Sequence, residues 1–129
     1  MTDPVADMLS RIKNALNVRA ETVDVPYSKI KAEMANLFQA EGYIQKFDVM
    51  KRMEKQFLRL ALKYNAKKSV ISGIRRISKP GKRIYVNRRN LPKIHAGFGT
   101  ALISTSHGIM TDESARTQKL GGEVVCYIW

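Results

Sequence analysis

The chain has 129 residues, 44% of them hydrophobic, which suits one compact domain or two very small ones and argues against intrinsic disorder. Its 23 lysines and arginines outnumber 11 acidic residues, and the net charge of +12 indicates an anionic partner. A single cysteine, Cys126, excludes an intramolecular disulfide and a cysteine-based zinc cluster. Its setting is typical of a buried thiol in a strand and is compatible with a reducing compartment.

No targeting signal or membrane span is predicted. Asp3 and Asp7 lie in an N-terminus without an apolar run, unlike a signal peptide. The longest stretch free of Lys, Arg, Asp and Glu, residues 94–111, contains three glycines, two histidines and several hydroxyl groups. That composition is unlike a membrane-spanning helix.

The excess positive charge is confined to the middle of the chain. Residues 1–50 hold 6 basic and 7 acidic residues, residues 51–95 hold 15 basic residues and only Glu54, and residues 96–129 hold 2 basic and 3 acidic residues. A generic solvated surface mixes the two signs. This distribution therefore favours a nucleic acid over an acidic membrane surface or an acidic protein as the partner.

The first half of the chain predicts two helices and three strands. Asp3 as cap and Pro4 at the first helical position begin one helix, and Ser28 caps a second that ends at Gly42. The first apolar face is predicted to contain Val5, Met8, Leu9, Ile12 and Leu16. The second is predicted to contain Ile30, Met34, Leu37 and Phe38. Strands are predicted over Thr22–Val25, Tyr43–Asp48 and Gln56–Tyr64, giving the order α-β-α-β-β.

The second half predicts mostly strands. Asn65–Ser69 is predicted to link the two halves. A strand over Val70–Ser78 meets a tight turn at Pro80-Gly81 and returns as "RIYVN". Later elements are one helical turn over Leu91–Ile94, a strand over Gly99–Thr105, a short helix and the terminal strand "EVVCYIW". We therefore predict an α+β fold with an N-terminal α-β-α-β-β domain, residues 1–65, and a mainly β C-terminal domain with one short helix, residues 66–129.

Known catalytic and cofactor motifs are not matched. "GFGTAL" has Leu102 where a dinucleotide fingerprint needs its third glycine, and "PGKR" lacks the rest of a P-loop. His95 and His107 have no metal-ligand spacing, so no cofactor or metal site is predicted. Ser106 beside His107 suggests a hydrolase, but adjacent residues usually point apart and triad partners come from separate segments. We predict that the protein is not an enzyme.

The stretch "STSHGIMTDESARTQKLGG" has two parts. Thr111 is placed as an N-cap with Asp112 and Glu113 in the first helical turn, and Gly121-Gly122 is predicted to end this helix. The preceding "STSHG" offers hydroxyl groups and backbone amides beside Gly108, which suit close approach to a sugar-phosphate backbone. The residues alone leave open whether it is a binding loop or a plain Ser/Thr turn.

Eight cations without an acid lie between residues 75 and 93 and bracket the Pro80-Gly81 turn: Arg75, Arg76, Lys79, Lys82, Arg83, Arg88, Arg89 and Lys93. Such a cluster repels itself unless phosphates or counterions neutralise it. Tyr85 lies among them, either as a platform for a base or sugar or as a half-buried strand tyrosine.

Together these motifs resemble the bacterial type of the universal small-subunit ribosomal protein eight family. The similarity lies in "STSHGIMTDESAR" with "LGGEVVCYIW", in "TDPVADMLSRIKNA", in "PGKRIYV" and in "LPKI...GFGTALISTS". It extends in order over essentially the whole chain. The sequence departs from the pattern at His107, which occupies a position that often carries a basic or other polar residue.

The resemblance implies a cytoplasmic protein of the small ribosomal subunit that binds the central domain of small-subunit ribosomal RNA and helps nucleate assembly. It implies neighbouring small-subunit proteins as further partners, and no membrane. The RNA-facing residues it implies are Ser104, Thr105, Ser106, Gly108, Tyr85, Lys82, Arg83, Thr2, Asp3 and Pro4. It implies that Glu123 orients the loop hydroxyls, and the helix capped by Thr111 is predicted to hold the loop rigid.

Two other interpretations stay open at this point. One is a translational regulator that binds a messenger RNA, its own included, which mimics the ribosomal site. The other is the hydrolase that uses Ser106 and His107.

Overall fold

The computed structural model describes residues 3–129 and confirms an α+β fold. Contacts group these residues into an N-terminal unit, Pro4–Ser72, and a C-terminal unit, Gly73–Trp129 together with Asp3. The N-terminal unit contains α1 (Pro4–Asn17), β1 (Thr22–Pro26), α2 (Lys29–Ala40), β2 (Ile44–Arg52), β3 (Lys55–Leu62), β4 (Tyr64–Asn65) and β5 (Lys68–Ser69). The C-terminal unit contains β6 (Ile74–Arg76), β7 (Tyr85–Val86), a 3-10 turn (His95–Gly97), β8 (Thr100–Thr105), β9 (Gly108–Thr111), α3 (Asp112–Gln118) and β10 (Gly122–Ile128).

The N-terminal unit packs α1 and α2 with an antiparallel sheet of order β1-β3-β2. The predicted apolar face of α1 is confirmed except at its end, where Ala15 is buried and Leu16 is only half-buried. On α2 the buried residues are Lys31, Met34, Ala35 and Phe38. The predicted face was wrong at Ile30, which is exposed. The side of α2 that packs against β2 is the one that carries Met34, Ala35 and Phe38, and the spacing of apolar residues alone did not separate it from the adjacent side with Ile30.

Both predicted ends of α2 are confirmed. The Ser28 hydroxyl accepts a hydrogen bond from the Lys31 amide at 3.2 Å. At the other end Gly42 has φ +82°, and the amides of Gly42 and Tyr43 donate to the carbonyls of Gln39 and Phe38. This is a Schellman motif, in which a left-handed residue after the helix satisfies its last carbonyls.

The segment predicted as a linker belongs to a small hairpin of β4 and β5. Its two turn residues, Ala66 and Lys67, have φ of 51° and 69°, the left-handed values of a two-residue hairpin turn. The predicted domain limits, residues 1–65 and 66–129, stay a prediction.

The C-terminal unit is a five-stranded antiparallel sheet with β10 at its centre. β8 pairs with one side of β10 and β9 continues beyond it, whereas β6 and β7 both pair with the other side. "RIYVN" was therefore wrong as a return strand paired with the strand before it. Strands β6 and β7 pair with successive parts of β10 and not with each other. At seven residues, β10 is long enough to pair with both short strands.

One hydrophobic cluster lies between this sheet and α3. Its buried members are Ile94, Ala101, Ile103, Met110, Ala115 and Val124. The helical turn predicted over Leu91–Ile94 was wrong, because Ile94 is extended and buried in this cluster. The turn that follows it, His95–Gly97, has positive φ at all three residues.

Cys126 is buried in β10, as predicted. Burial raises the pKa of its thiol to about 12, so the group stays protonated and unreactive at neutral pH. None of the helices formed by residues 3–129 is long and apolar enough to cross a membrane.

Candidate nucleic-acid interface

The predicted binding loop, residues Ser104–Gly108, is the tip of the β8–β9 hairpin, and we refer to it as the hydroxyl loop. Thr105 pairs with Gly108 across the turn. The Thr105 hydroxyl donates to the Gly108 carbonyl at 2.8 Å and accepts from the His107 amide at 3.1 Å. Gly108 has φ +105°, a conformation that favours glycine. The turn is thus fixed by its own hydrogen bonds and leaves Ser106 and His107 exposed.

Two of the loop hydroxyls are free to accept a ligand. Within residues 3–129 the side chains of Ser104 and Ser106 make no hydrogen bond, whereas the Thr105 hydroxyl is engaged inside the turn. No hydrogen bond joins Ser106 to His107 in this part of the chain, although the hydrolase interpretation needs one. Nor do residues 3–129 contain a group of three or more His, Cys, Asp or Glu suited to a metal ion.

A row of side chains crosses the sheet at the level of Ser104. Glu123 on β10 lies directly opposite Ser104 on β8 and opposite Tyr85 on β7. Residues directly opposite one another project from the same face of a sheet. Tyr85 is 68% exposed, so it is not a half-buried strand residue, and its role as a platform for a base or sugar stays a prediction.

The predicted cationic turn is a closed loop, residues Lys79–Arg83, which we call the cationic loop. Its ends are held by Ser78, whose hydroxyl accepts from the Ile84 amide at 2.8 Å and donates to the Ile84 carbonyl at 3.2 Å. Lys79 and Lys82 exchange two backbone hydrogen bonds across the turn. The cations of this loop are exposed.

An ion pair links the cationic loop to the row of side chains. Arg83 donates to the Glu123 carboxylate at 3.0 Å. Glu123 therefore has Arg83 as its side-chain partner and Ser104 as its neighbour in register. Its predicted role in orienting the loop hydroxyls stays a prediction.

The paired glycines do not end α3 as predicted. Lys119 does so, in the left-handed conformation with φ 58°. A β-carbon on Gly122 would overlap the carbonyl oxygen of Ser104, and one on Gly121 would overlap that of Val86. The glycines are therefore required for strands β7 and β8 to approach β10 closely, which is a tertiary demand invisible to local sequence.

The predicted cap of α3 is confirmed. The Thr111 hydroxyl accepts from the Ser114 amide at 3.1 Å. The next residue, Asp112, accepts from the Ala101 amide on β8 at 3.0 Å and pairs with Arg116 at 2.7 Å. Since Asp112 is buried, these bonds fasten the start of α3 to the strand that carries the hydroxyl loop.

The predicted N-terminal contacts lie apart from this set in sequence. Thr2 is outside the described residues. Asp3 accepts from Arg76 on β6 at 3.2 Å in a mostly buried ion pair, and Pro4 is the exposed first residue of α1. An RNA contact by these residues stays a prediction.

Similarity to known proteins was found over the whole chain. The family model for "Ribosomal protein S8" matches residues 3–129. "Small ribosomal subunit protein uS8" of Syntrophomonas wolfei is 54% identical, and that of Clostridium novyi 51%; each match covers 100% of this chain and 98% of the relative. The protein of the same name from Dictyoglomus turgidum is 49% identical with the same coverage. The chain therefore belongs to the ribosomal protein S8 family.

Proposed function

We propose that this chain is a structural component of the small ribosomal subunit, not an enzyme, and that it binds small-subunit ribosomal RNA directly through its C-terminal unit. Membership of the ribosomal protein S8 family supports the place in the subunit. The observation that carries the RNA-binding proposal is the juxtaposition of the hydroxyl loop and the cationic loop on the two sides of β10.

The hydroxyl loop supplies the selective contacts. Ser104 and Ser106 present unengaged hydroxyls that can pair with 2′-hydroxyl groups or base edges, the features by which RNA is recognised. Thr105 and Gly108 hold the turn, and Gly108 leaves open space where a side chain would stand. Because the loop contains no lysine, arginine or acidic residue, it adds affinity only for an RNA whose groups match its shape.

The cationic loop and the tyrosine supply contacts that tolerate many sequences. Lys82 is exposed and suits a phosphate. Arg83 is held by Glu123, so it meets RNA in one orientation. Tyr85 offers an exposed ring on which a base can stack.

Further members of the interface are proposed from family similarity. Thr2, Asp3 and Pro4 contact RNA at the start of the chain, while Thr111 and Glu123 act by positioning. The RNA is the central domain of the small-subunit molecule, and binding early in assembly prepares the site for neighbouring small-subunit proteins in the ribosome.

The test is binding of the purified chain, free of other ribosomal proteins, to a central-domain fragment of small-subunit ribosomal RNA. A scrambled stem of equal length, measured at the same salt concentration, is the control. We expect clear preference for the ribosomal fragment, with chemical protection of one stem. Equal affinity for both RNAs would contradict the proposal, because the phosphate contacts alone would then account for binding.

A further inference from the structure

A second cluster of cations lies in the C-terminal unit. Four residues line a cleft of about 330 Å³, and all four are basic: Arg88, Arg89, Arg116 and Lys119. We call it the cationic cleft. Arg88 and Arg89 come from the segment after β7, whereas Arg116 and Lys119 come from α3 and its end.

The segment that carries the first two arginines is held in shape by short-range hydrogen bonds. The Asn87 side-chain oxygen accepts from the Arg89 amide at 2.9 Å and from the Asn90 amide at 3.1 Å. Gly121 lies so close to this segment that a β-carbon there would come within 2.9 Å of the Arg88 nitrogen. The segment and the end of α3 therefore pack tightly, which holds the backbone on both sides of the cleft in place.

Only one of the four cations has an acidic partner in the described residues. Arg116 pairs with Asp112 at 2.7 Å and also donates to the Pro92 carbonyl, so its guanidinium is fixed. Arg88, Arg89 and Lys119 are exposed and have no ion pair within residues 3–129. Like charges gathered around one cleft repel one another, and an anion removes that cost.

Lys119 is in a conformation that works against stability. Its φ of 58° is left-handed, where glycine is the favoured residue at the end of a helix. The chain has two glycines only two and three residues later, at 121 and 122, yet has lysine at this position. Seven other described non-glycine residues, Lys67 among them, share this conformation, so Lys119 is distinguished by its place among the cations of the cleft.

We infer that the cationic cleft is a phosphate-binding site, occupied by the backbone of the bound RNA, with Arg88, Arg89 and Lys119 as its contacts and Arg116 as a fixed wall. The inference rests on the proposed RNA-binding function and adds a contact that neither loop supplies. The cationic cleft and the hydroxyl loop are linked by two consecutive residues. Gly121 packs against the segment that carries Arg88, and Gly122 packs against Ser104 of the hydroxyl loop.

The decisive variant is Lys119→Gly, because it removes the charge and relieves the left-handed strain together. A merely structural lysine would give only the second effect. Lys67→Gly is a matched control, since Lys67 is also exposed and left-handed, with φ 69°, but lies in the N-terminal unit. Arg89→Gln tests the other side of the cleft.

Binding of the full chain to the central-domain RNA fragment is measured over a series of salt concentrations, with urea denaturation in parallel. For Lys119→Gly and for Arg89→Gln we expect the slope of log affinity against log salt to become shallower by about 0.7–0.9. We expect the denaturation midpoint of Lys119→Gly to stay the same or rise. The slope of Lys67→Gly should match that of the unaltered chain.

An unchanged slope for Lys119→Gly would overturn the inference, and so would an equal loss in Lys67→Gly, which would reflect overall charge. Failure of the proposed function is a separate result, since it appears as equal affinity of the unaltered chain for ribosomal and scrambled RNA. The contribution of the cleft to the slope can be measured with either RNA.

Discussion

The hydroxyl loop and the cationic loop flank the same strand and differ in almost every chemical respect. The hydroxyl loop is fixed by the bonds of Thr105 and presents small polar groups. The cationic loop is fixed at its base by Ser78 and presents long charged side chains. Long-range attraction comes from the charges and falls with salt, whereas discrimination requires short side chains held at defined positions. The two requirements conflict within one loop, and our proposal assigns them to two separate loops on either side of β10.

Disturbing the close approach of β10 and β8 should have the largest effect. In Gly122→Ala the new methyl group would overlap the Ser104 carbonyl, which belongs to the backbone and cannot turn aside. We expect a loss of about 1–3 kcal/mol in the free energy of unfolding, measured by urea denaturation, together with loss of preference for ribosomal over scrambled RNA. Gly81→Ala in the cationic loop is the control, because a β-carbon there meets open space. Equal stability of the two variants would mean that β10 and β8 need not approach so closely.

The second-largest effect is expected on RNA binding when the aromatic ring of Tyr85 is removed. Tyr85→Ala is expected to cost about 1–3 kcal/mol of binding free energy, the contribution of one stacked base. Tyr85→Phe keeps the ring and should retain most of the affinity. The fold should be unaffected, because the ring is largely exposed. If the two variants bind alike, stacking is not the role of this residue.

Changing the hydroxyl loop alone should separate selectivity from charge. Ser106→Ala is expected to weaken binding to the ribosomal fragment by about 1–3 kcal/mol, because an RNA group is left without its hydrogen-bond partner. Its salt slope should equal that of the unaltered chain. Ser10→Ala, an exposed serine on α1, is the control. Equal weakening of ribosomal and scrambled RNA, or no effect on either, would make Ser106 a turn residue only.

Neutralising one charge in the cationic loop should give the smallest effect, spread over all RNAs. Lys82→Ala is expected to make the salt slope shallower by about 0.7–0.9 and to lower the affinity for ribosomal and scrambled RNA by similar factors. Lys13→Ala on α1, another exposed lysine, controls for net charge. A loss confined to the ribosomal fragment would show that Lys82 reads the RNA, and the contrast between the two loops would fail.

The elements whose signals are local could be predicted well. Ser28 and Thr111 cap helices because a hydroxyl at the start of a helix satisfies an amide within the next turn. The α1 face and the single buried thiol follow from spacing and residue type. Elements defined by a distant partner were the ones predicted wrongly, as with the strand pairing of "RIYVN" and the role of Gly121-Gly122.

The candidate nucleic-acid interface shows the same division between features with local signals and features that depend on distant residues. Charge distribution and the absence of catalytic motifs were enough to indicate nucleic-acid binding from the sequence, because the charges act through long-range electrostatics that do not depend on the details of the fold. The residues of "STSHG" alone did not distinguish a binding loop from a plain turn. The row of Tyr85, Glu123 and Ser104 and the cationic cleft were not visible there, since their residues are separated by many positions in the chain. Only the pairing of β7 and β8 with β10 brings that row together, because strand register depends on the packing of a whole sheet and not on any segment by itself.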